Sequence, residues 1–191
     1  MVFSSLHFLF LFLPLTLGLY FLTPARYRNG PALAASLFFF AWGAPRFVFV
    51  LMATSLLDFL AGRRLAPNAT PDARRRRLLA LAVGLNLGLL LYFKYANFFV
   101  DQFTALLTAA GFAPADWPRV ALPIGISFFT FQKISYLVDV FRGTARPAPT
   151  YGRYLLFVTL FPQLIAGPIV RYHDVDLQLG RRRYSAGLFL D

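Results

Sequence analysis

The sequence predicts an all-α fold, a polytopic bundle of transmembrane helices. Of its 191 residues, 58% are hydrophobic and 23 are phenylalanine, more than a soluble domain of this size carries. The net charge of +11 comes from 17 arginines and 2 lysines against 8 aspartates. These arginines stand in short clusters between long apolar runs, as in the cytoplasmic loops of membrane proteins. The absence of cysteine excludes disulfides, cysteine metal sites and thiol catalysis.

The first predicted span covers residues 3–22. No basic residue precedes this run, and Arg26 and Arg28 follow it. A cleaved signal peptide would show the opposite arrangement and a shorter apolar core. We therefore expect a retained transmembrane helix whose N-terminus lies outside.

The next apolar run, residues 31–60, is predicted to form a short helical hairpin. As one helix it would be about 45 Å long, too long for a hydrocarbon core of about 30 Å. The break is expected at Gly43-Ala44-Pro45, with arms over 32–41 and 46–61. The first arm is only about 15 Å long, so either protein shields the turn within the membrane or the bilayer is thinned there.

Two further spans are predicted over residues 78–100 and 121–141. The basic segment before the first of them contains Arg74 to Arg77. Nucleic-acid binding is one interpretation of that segment, but membrane topology explains it better, and no nucleic-acid partner is expected. Trp117, between the two spans, suits the headgroup region.

Residues 154–170 are predicted to form a re-entrant helix pair. Pro162 and the Gly167-Pro168 pair interrupt the apolar run, and Arg171 follows it. Basic flanks on both sides indicate a segment that enters the membrane and returns on the same side. Broken backbone at membrane depth requires protein or a water-filled cavity around it.

Polar residues within the spans form two stripes. Gln132, Ser135, Tyr136 and Asp139 lie at i, i+3, i+4 and i+7, so a helix places them on one face. A similar stripe on the preceding span contains Asn86, Lys94, Asn97 and Asp101. Such stripes are costly in lipid and are expected to face the interior or a wet cavity. The cavity-lining candidates are Lys94, Asn97, Gln132, Ser135, Tyr136 and Asp139, and interhelical hydrogen bonding is the alternative.

The charged residues near membrane depth are expected to find partners close to their own level. Lys94 and Asp139 lie too far apart in depth to pair. Asp58 and Asp139 are therefore expected to meet loop arginines. Lys94 is expected to extend outward or to meet Asp101 or Asp116.

Candidate catalytic and metal sites are sparse. His7 and His173 are the only histidines, and their positions at different ends of the predicted bundle argue against a shared metal site. A metal or acid–base cluster is one interpretation of the string HDVD at residues 173–176, but a loop cluster beside Arg171 fits better. No metal site and no glycine-rich phosphate motif is predicted.

Four strings carry a family resemblance: MVFSSLHFLFLFLPLTLGLYF, LLLYFKYANFF, LPIGISFFTFQKISYLVDVFRG and LFPQLIAGPIVRY. They resemble the N-terminal part of the membrane-bound O-acyltransferase family, in its alginate O-acetylation branch. The resemblance implies that residues 1–191 are the N-terminal part of a single helical domain with a funnel. It also implies a multi-pass protein of the bacterial inner membrane.

The resemblance implies a reaction in which an acyl group moves from a cytoplasmic donor such as acetyl-CoA toward an exopolysaccharide outside. Periplasmic polysaccharide-acetylation proteins are the implied partners, and no cofactor is bound. The family's catalytic histidine lies in a later Trp-His-Gly segment, which this sequence lacks. Neither His7 nor His173 matches that motif, so we expect an N-terminal fragment that transfers no acetyl group by itself. A relative that acylates cell-wall polymers with D-alanine or acetate, and a transporter or accessory subunit, are the alternatives.

Overall fold

The computed structural model describes residues 5–67, 71–111, 117–123, 125–166 and 171–175. Within these ranges the regular structure is helical and contains no strand, which confirms the all-α prediction. The described residues form these successive α-helices: α1 (Leu13–Leu22), α2 (Asn29–Gly43), α3 (Pro45–Leu65), α4 (Asp72–Ala109), α5 (Ile126–Arg142), α6 (Tyr151–Thr159) and α7 (Phe161–Ala166).

A π-helical turn, Phe8–Phe12, leads directly into α1. Phe8 and Phe12 are buried by the Phe39 ring of α2, with centroid distances of 5.6 Å in both cases. The other side of the turn carries Phe10, which is 76% exposed. Aromatic packing therefore holds only one face of this first span against the bundle.

The hairpin predicted after the first span is present, and its break lies where the sequence placed it. α2 ends at Gly43 and α3 begins at Pro45, separated by Ala44 with φ −151° and ψ 69°. Proline suits the first position of a helix because its missing N–H is not needed there. α2 has 15 residues and is about 22 Å long, longer than the predicted arm but still shorter than a bilayer core.

The fourth helix is much longer than the span predicted at 78–100. α4 has 38 residues and a length of about 57 Å, against a hydrocarbon core of about 30 Å. It includes Arg74 to Arg77 in its first two turns and continues beyond Asp101. The sequence becomes polar at both ends of the predicted span, but α4 continues beyond both of these points.

Glycines in the left-handed region bound α5. Gly125 has φ 77° and Gly143 has φ 78°, a conformation that costs glycine little and other residues more. At the C-terminal end the Gly143 N–H donates to the Val140 carbonyl at 3.1 Å. Residues 121–123 are not helical, so α5 begins five residues later than the predicted span.

After α6 the chain contacts first the N-terminal π-helical turn and then α5. Phe161, at the start of α7, packs against Phe12 with a centroid distance of 5.4 Å. Tyr172 lies beside Tyr136 of α5, with a centroid distance of 4.9 Å. That this path dips into a membrane and returns, as proposed for residues 154–170, stays a prediction.

Two of the described helices, α3 and α4, are long and apolar enough to cross a membrane. Large apolar side chains point away from the bundle on several elements, for example Phe49 at 75% and Leu81 at 72% exposure. So much exposed apolar surface is unusual for a protein surrounded by water. Lipid is the solvent that such a surface suits.

Candidate functional site

A buried ion pair joins α3 to α5. Lys133 Nζ lies 3.0 Å from Asp58 Oδ2, and both side chains are 1% exposed. The same ammonium group donates a hydrogen bond to Thr54 Oγ1 at 2.8 Å. Asn86 of α4 donates from Nδ2 to Asp58 Oδ1 at 2.8 Å. We call these four residues, Thr54, Asp58, Asn86 and Lys133, the polar centre.

The polar centre exists because three helices bring their inner faces to one place. Thr54 and Asp58 are one helical turn apart on α3, so their side chains lie on the same face. Asn86 Nδ2 also donates to the Ala82 carbonyl at 2.9 Å, which fixes the amide against its own helix. A buried charge is tolerated only when it is paired and hydrogen-bonded, and this arrangement meets both conditions.

A small cavity of about 20 Å³ adjoins the polar centre. Its polar lining comes from Thr54, Asn86, Thr130 and Lys133, and the rest of the wall is apolar. This volume accommodates a single water molecule. It is too small for an acyl donor, and the feature that the structure does show is that the polar centre connects three helices.

The structure corrects the expected partner of Asp58. Its carboxylate meets Lys133 and not the loop arginines, because Asp58 faces inward while Arg63, further along α3, is exposed. The prediction left Lys133 aside because it falls between the members of the polar stripe. A usable signal was present: Asp58 and Lys133 are each the only charged residue in an apolar stretch of sequence.

The predicted stripe on α5 faces protein. Gln132 is fully buried, and its amide nitrogen donates to Gln163 Oε1 at 3.5 Å. Ser135 Oγ is buried without a hydrogen-bond partner among the described residues. Neither residue lines the 20 Å³ cavity, so their role in lining a substrate cavity stays a prediction.

Tyr136 lies where α3, α5 and the segment after α5 meet. Its hydroxyl accepts a hydrogen bond from the Ala148 N–H at 3.1 Å, and its ring is 4.5 Å from that of Tyr154. Gly62 allows this approach, because a Cβ at that position would lie 2.5 Å from the Tyr136 hydroxyl. The tyrosine is thus held by packing on every side that the structure describes.

Asp139 meets a histidine and not an arginine among the described residues. His173 Nδ1 lies 3.5 Å from Asp139 Oδ2, and His173 Nε2 lies 3.0 Å from Asp174 Oδ1. The imidazole is 37% exposed. In the described part of the chain, no group of three or more histidine, aspartate or glutamate side chains is arranged so that it could hold a metal ion. His7, which is exposed at the start of the chain, takes no part in this cluster.

The two candidates on α4 lie away from the polar centre. Lys94 is exposed, with Nζ 5.5 Å from the centroid of the Tyr95 ring, as expected for an outward-pointing lysine.

The Asn97 side chain binds both the N–H and the carbonyl of Val120 at 2.9 and 2.8 Å. Asp101 pairs with Arg119 at 3.0 Å. Asn97 therefore fixes a non-helical segment to α4, and with Asp101 it borders a surface pocket of about 220 Å³.

The candidates of the re-entrant element are described only in part. Pro162 is exposed in the first turn of α7, and Arg171 is exposed where the described chain resumes. Gly167 and Pro168 lie outside the described residues. Their proposed role as the turn of a re-entrant pair stays a prediction.

Curated relatives match the whole chain. It is 43% identical over all 191 residues to a probable alginate O-acetylase of Azotobacter vinelandii, of which it covers 38%. It is 41% identical over its whole length to a probable alginate O-acetylase of Pseudomonas aeruginosa, of which it covers 37%. A peptidoglycan O-acetyltransferase of Helicobacter pylori is 30% identical, and the chain covers 42% of it.

The chain thus spans about two fifths of the length of the curated relatives it matches. No protein-family model matches it, and no solved structure is significantly similar to it. All three relatives are named as O-acetylases or O-acetyltransferases, the two alginate O-acetylases as probable ones.

Proposed function

We propose that this chain belongs to the membrane-bound O-acyltransferase family and forms part of an enzyme that O-acetylates an exopolysaccharide such as alginate. One observation carries the proposal: identity of 41–43% to alginate O-acetylases that extends over the whole chain. The exposed apolar surface and the helices able to span a bilayer support the membrane setting that such transport of acetyl groups needs.

The proposed reaction moves an acetyl group from a donor on the cytoplasmic side, acetyl-CoA or a similar thioester, to a hydroxyl of the polysaccharide outside. Periplasmic polysaccharide-acetylation proteins are the proposed partners on the acceptor side. No cofactor is proposed, because acyl transfer from a thioester to a hydroxyl needs no redox step. The described residues would contribute the wall of the reaction chamber, and the polar centre would hold three of its helices in register.

The orientation proposed is an inner-membrane protein with its N-terminus outside. Arginine clusters lie at the end where α3 finishes and α4 begins, and this end is placed in the cytoplasm. A phosphatase active only outside the cytoplasm should therefore be inactive when fused after Arg77 and active when fused after Asp101. The reverse pattern of activity would contradict the proposed orientation.

The function is tested by deleting the gene in the organism that encodes it and measuring O-acetyl esters. We expect the secreted polysaccharide to lose its esters while its yield is unchanged, and the complete gene to restore them. Esters on peptidoglycan are measured in the same strains, because a relative is a peptidoglycan O-acetyltransferase. Loss confined to peptidoglycan would favour that second acceptor, and unchanged esters on both polymers would contradict acetyl transfer.

A further inference from the structure

Arg75 brings the ends of three helices together. It is 8% exposed and lies in the first turn of α4. Its Nε donates to the Leu65 carbonyl at 3.0 Å and its Nη2 to the Phe141 carbonyl at 2.7 Å. These acceptors are in the last turns of α3 and α5. The start of α4 and the ends of α3 and α5 therefore lie at one level of the bundle.

Exposed arginines surround this junction. They lie close in sequence to Arg75 itself or to the residues whose carbonyls it binds, and we call them the basic end: Arg63, Arg74, Arg76, Arg77 and Arg142. The nearby Asp72 is bonded to Arg75 itself at 2.8 Å. Among the described residues, no carboxylate lies within ion-pair distance of any member of the basic end.

Toward the opposite end, α3 and α4 carry fewer cations, among them the exposed Lys94. Arg46 lies at the start of α3, about 25 Å along the helix from Arg63. Arg119 lies near the other end of α4 and is neutralised by Asp101 at 3.0 Å. The unpaired guanidinium groups of these two helices are therefore concentrated at one end of the bundle.

The basic end adjoins apolar surface. Leu60 on α3 is 47% exposed and Leu81 on α4 is 72% exposed, each within about a turn of the nearest arginine. When lipid covers these leucines, the guanidinium groups reach the level of the phosphates of the lipid head groups. Guanidinium binds phosphate through two parallel hydrogen bonds, and arginines beside a membrane span attract anionic lipid.

We propose that the basic end is a binding surface for the head groups of anionic phospholipids in the adjacent leaflet. A soluble polyphosphate such as the nucleotide part of an acyl donor has the same chemistry but would need an enclosing pocket. The five arginines line neither of the two cavities described above. The basic end is an open surface beside apolar helices, and a lipid head-group layer is the partner that fits such a surface.

The experiment uses the complete protein in detergent with added phosphatidylglycerol or phosphatidylcholine, and native mass spectrometry counts the bound lipids. Wild-type protein should retain phosphatidylglycerol about a hundredfold better than phosphatidylcholine or more, and the preference should weaken with salt. Each arginine contributes a factor of about five beside an anionic surface. The triple variant Arg74→Gln/Arg76→Gln/Arg77→Gln should therefore bind phosphatidylglycerol about a hundredfold more weakly at low salt.

Arg46→Gln, at the opposite end, is the matched control and should change phosphatidylglycerol binding less than twofold. Arginine clusters also influence how a protein inserts into the membrane, so a second variant keeps the positive charge. In Arg74→Lys/Arg76→Lys/Arg77→Lys the affinity for phosphatidylglycerol should fall only partly. Equal binding of the two lipids by the wild type would overturn the proposal. A triple variant that loses coenzyme A binding but still binds phosphatidylglycerol would also overturn the proposal. The basic end would then be a binding site for the acyl donor. Neither readout requires acetyl transfer, so the result is independent of the proposed function.

Discussion

Replacing Lys133 with methionine is expected to destabilise the folded protein by about 3 to 5 kcal/mol. The change leaves the Asp58 carboxylate, which is 1% exposed, without its cation in a region that lipid and protein shield from water. It also removes the hydrogen bond that Thr54 accepts from the ammonium group. Thermal unfolding of the complete protein in detergent measures the loss as a lowered midpoint and a reduced folded yield.

The second lysine provides a matched control for Lys133. Lys94→Met removes the same charge from an exposed side chain, so it should change stability by less than about 0.5 kcal/mol. Adding Asp58→Leu to Lys133→Met should recover most of the stability, because apolar residues often replace a buried ion pair without loss. Equal unfolding midpoints for Lys133→Met and Lys94→Met would contradict the buried pair.

The same double variant distinguishes a structural role for the polar centre from a catalytic one. If the centre only joins α3, α4 and α5, a stable Asp58→Leu/Lys133→Met protein keeps its acetyl-transfer activity. A stable double variant that is inactive would show that the ion pair takes part in the reaction.

Replacing Arg75 with glutamine is expected to cost about 2 to 4 kcal/mol. The variant loses charge-assisted hydrogen bonds to the carbonyls of Leu65 and Phe141. It also loses the packing of the guanidinium group over the Phe141 ring, at 4.9 Å from the centroid. Because these contacts connect three helix ends, the unfolding midpoint should fall and proteolysis between α3 and α4 should become faster.

The neighbouring arginine is the control for Arg75. Arg74→Gln removes an exposed guanidinium and should leave the unfolding midpoint within the range of a neutral surface substitution. Arg75→Lys keeps the charge, but its single ammonium group does not reach both carbonyls as the branched guanidinium group does. Its stability should therefore lie between those of the wild type and Arg75→Gln. Equal stability of Arg74→Gln and Arg75→Gln would show that the three contacts contribute nothing.

Features set by local chemistry were predictable from the sequence. Glycine favours the end of a helix and proline the first position of the next, so Gly43 and Pro45 placed the hairpin break correctly. The inward position of Gln132 and Tyr136 followed from helical spacing within one apolar span. The clustering of arginines likewise indicated which helix ends lie on the same side.

Features that depend on which helices are neighbours were not predictable in the same way. The Asp58–Lys133 pair joins residues 75 positions apart in the sequence, and spacing along one helix carries no information about that contact. The length of α4 was missed for another reason. Polar residues such as Asp101 and Gln102 end the hydrophobic run but not the helix, since helix propensity and hydrophobicity are separate properties.

The most direct test of the account is the O-acetyl content of the secreted polysaccharide when the deletion strain is complemented in parallel with the complete gene and with residues 1–191 alone. The account predicts that the complete gene restores the esters. It also predicts that residues 1–191, which contain no Trp-His-Gly segment, restore none even when they are inserted in the membrane. Esters restored by residues 1–191 alone would contradict the proposed division of the enzyme, and esters absent with the complete gene would contradict acetyl transfer itself.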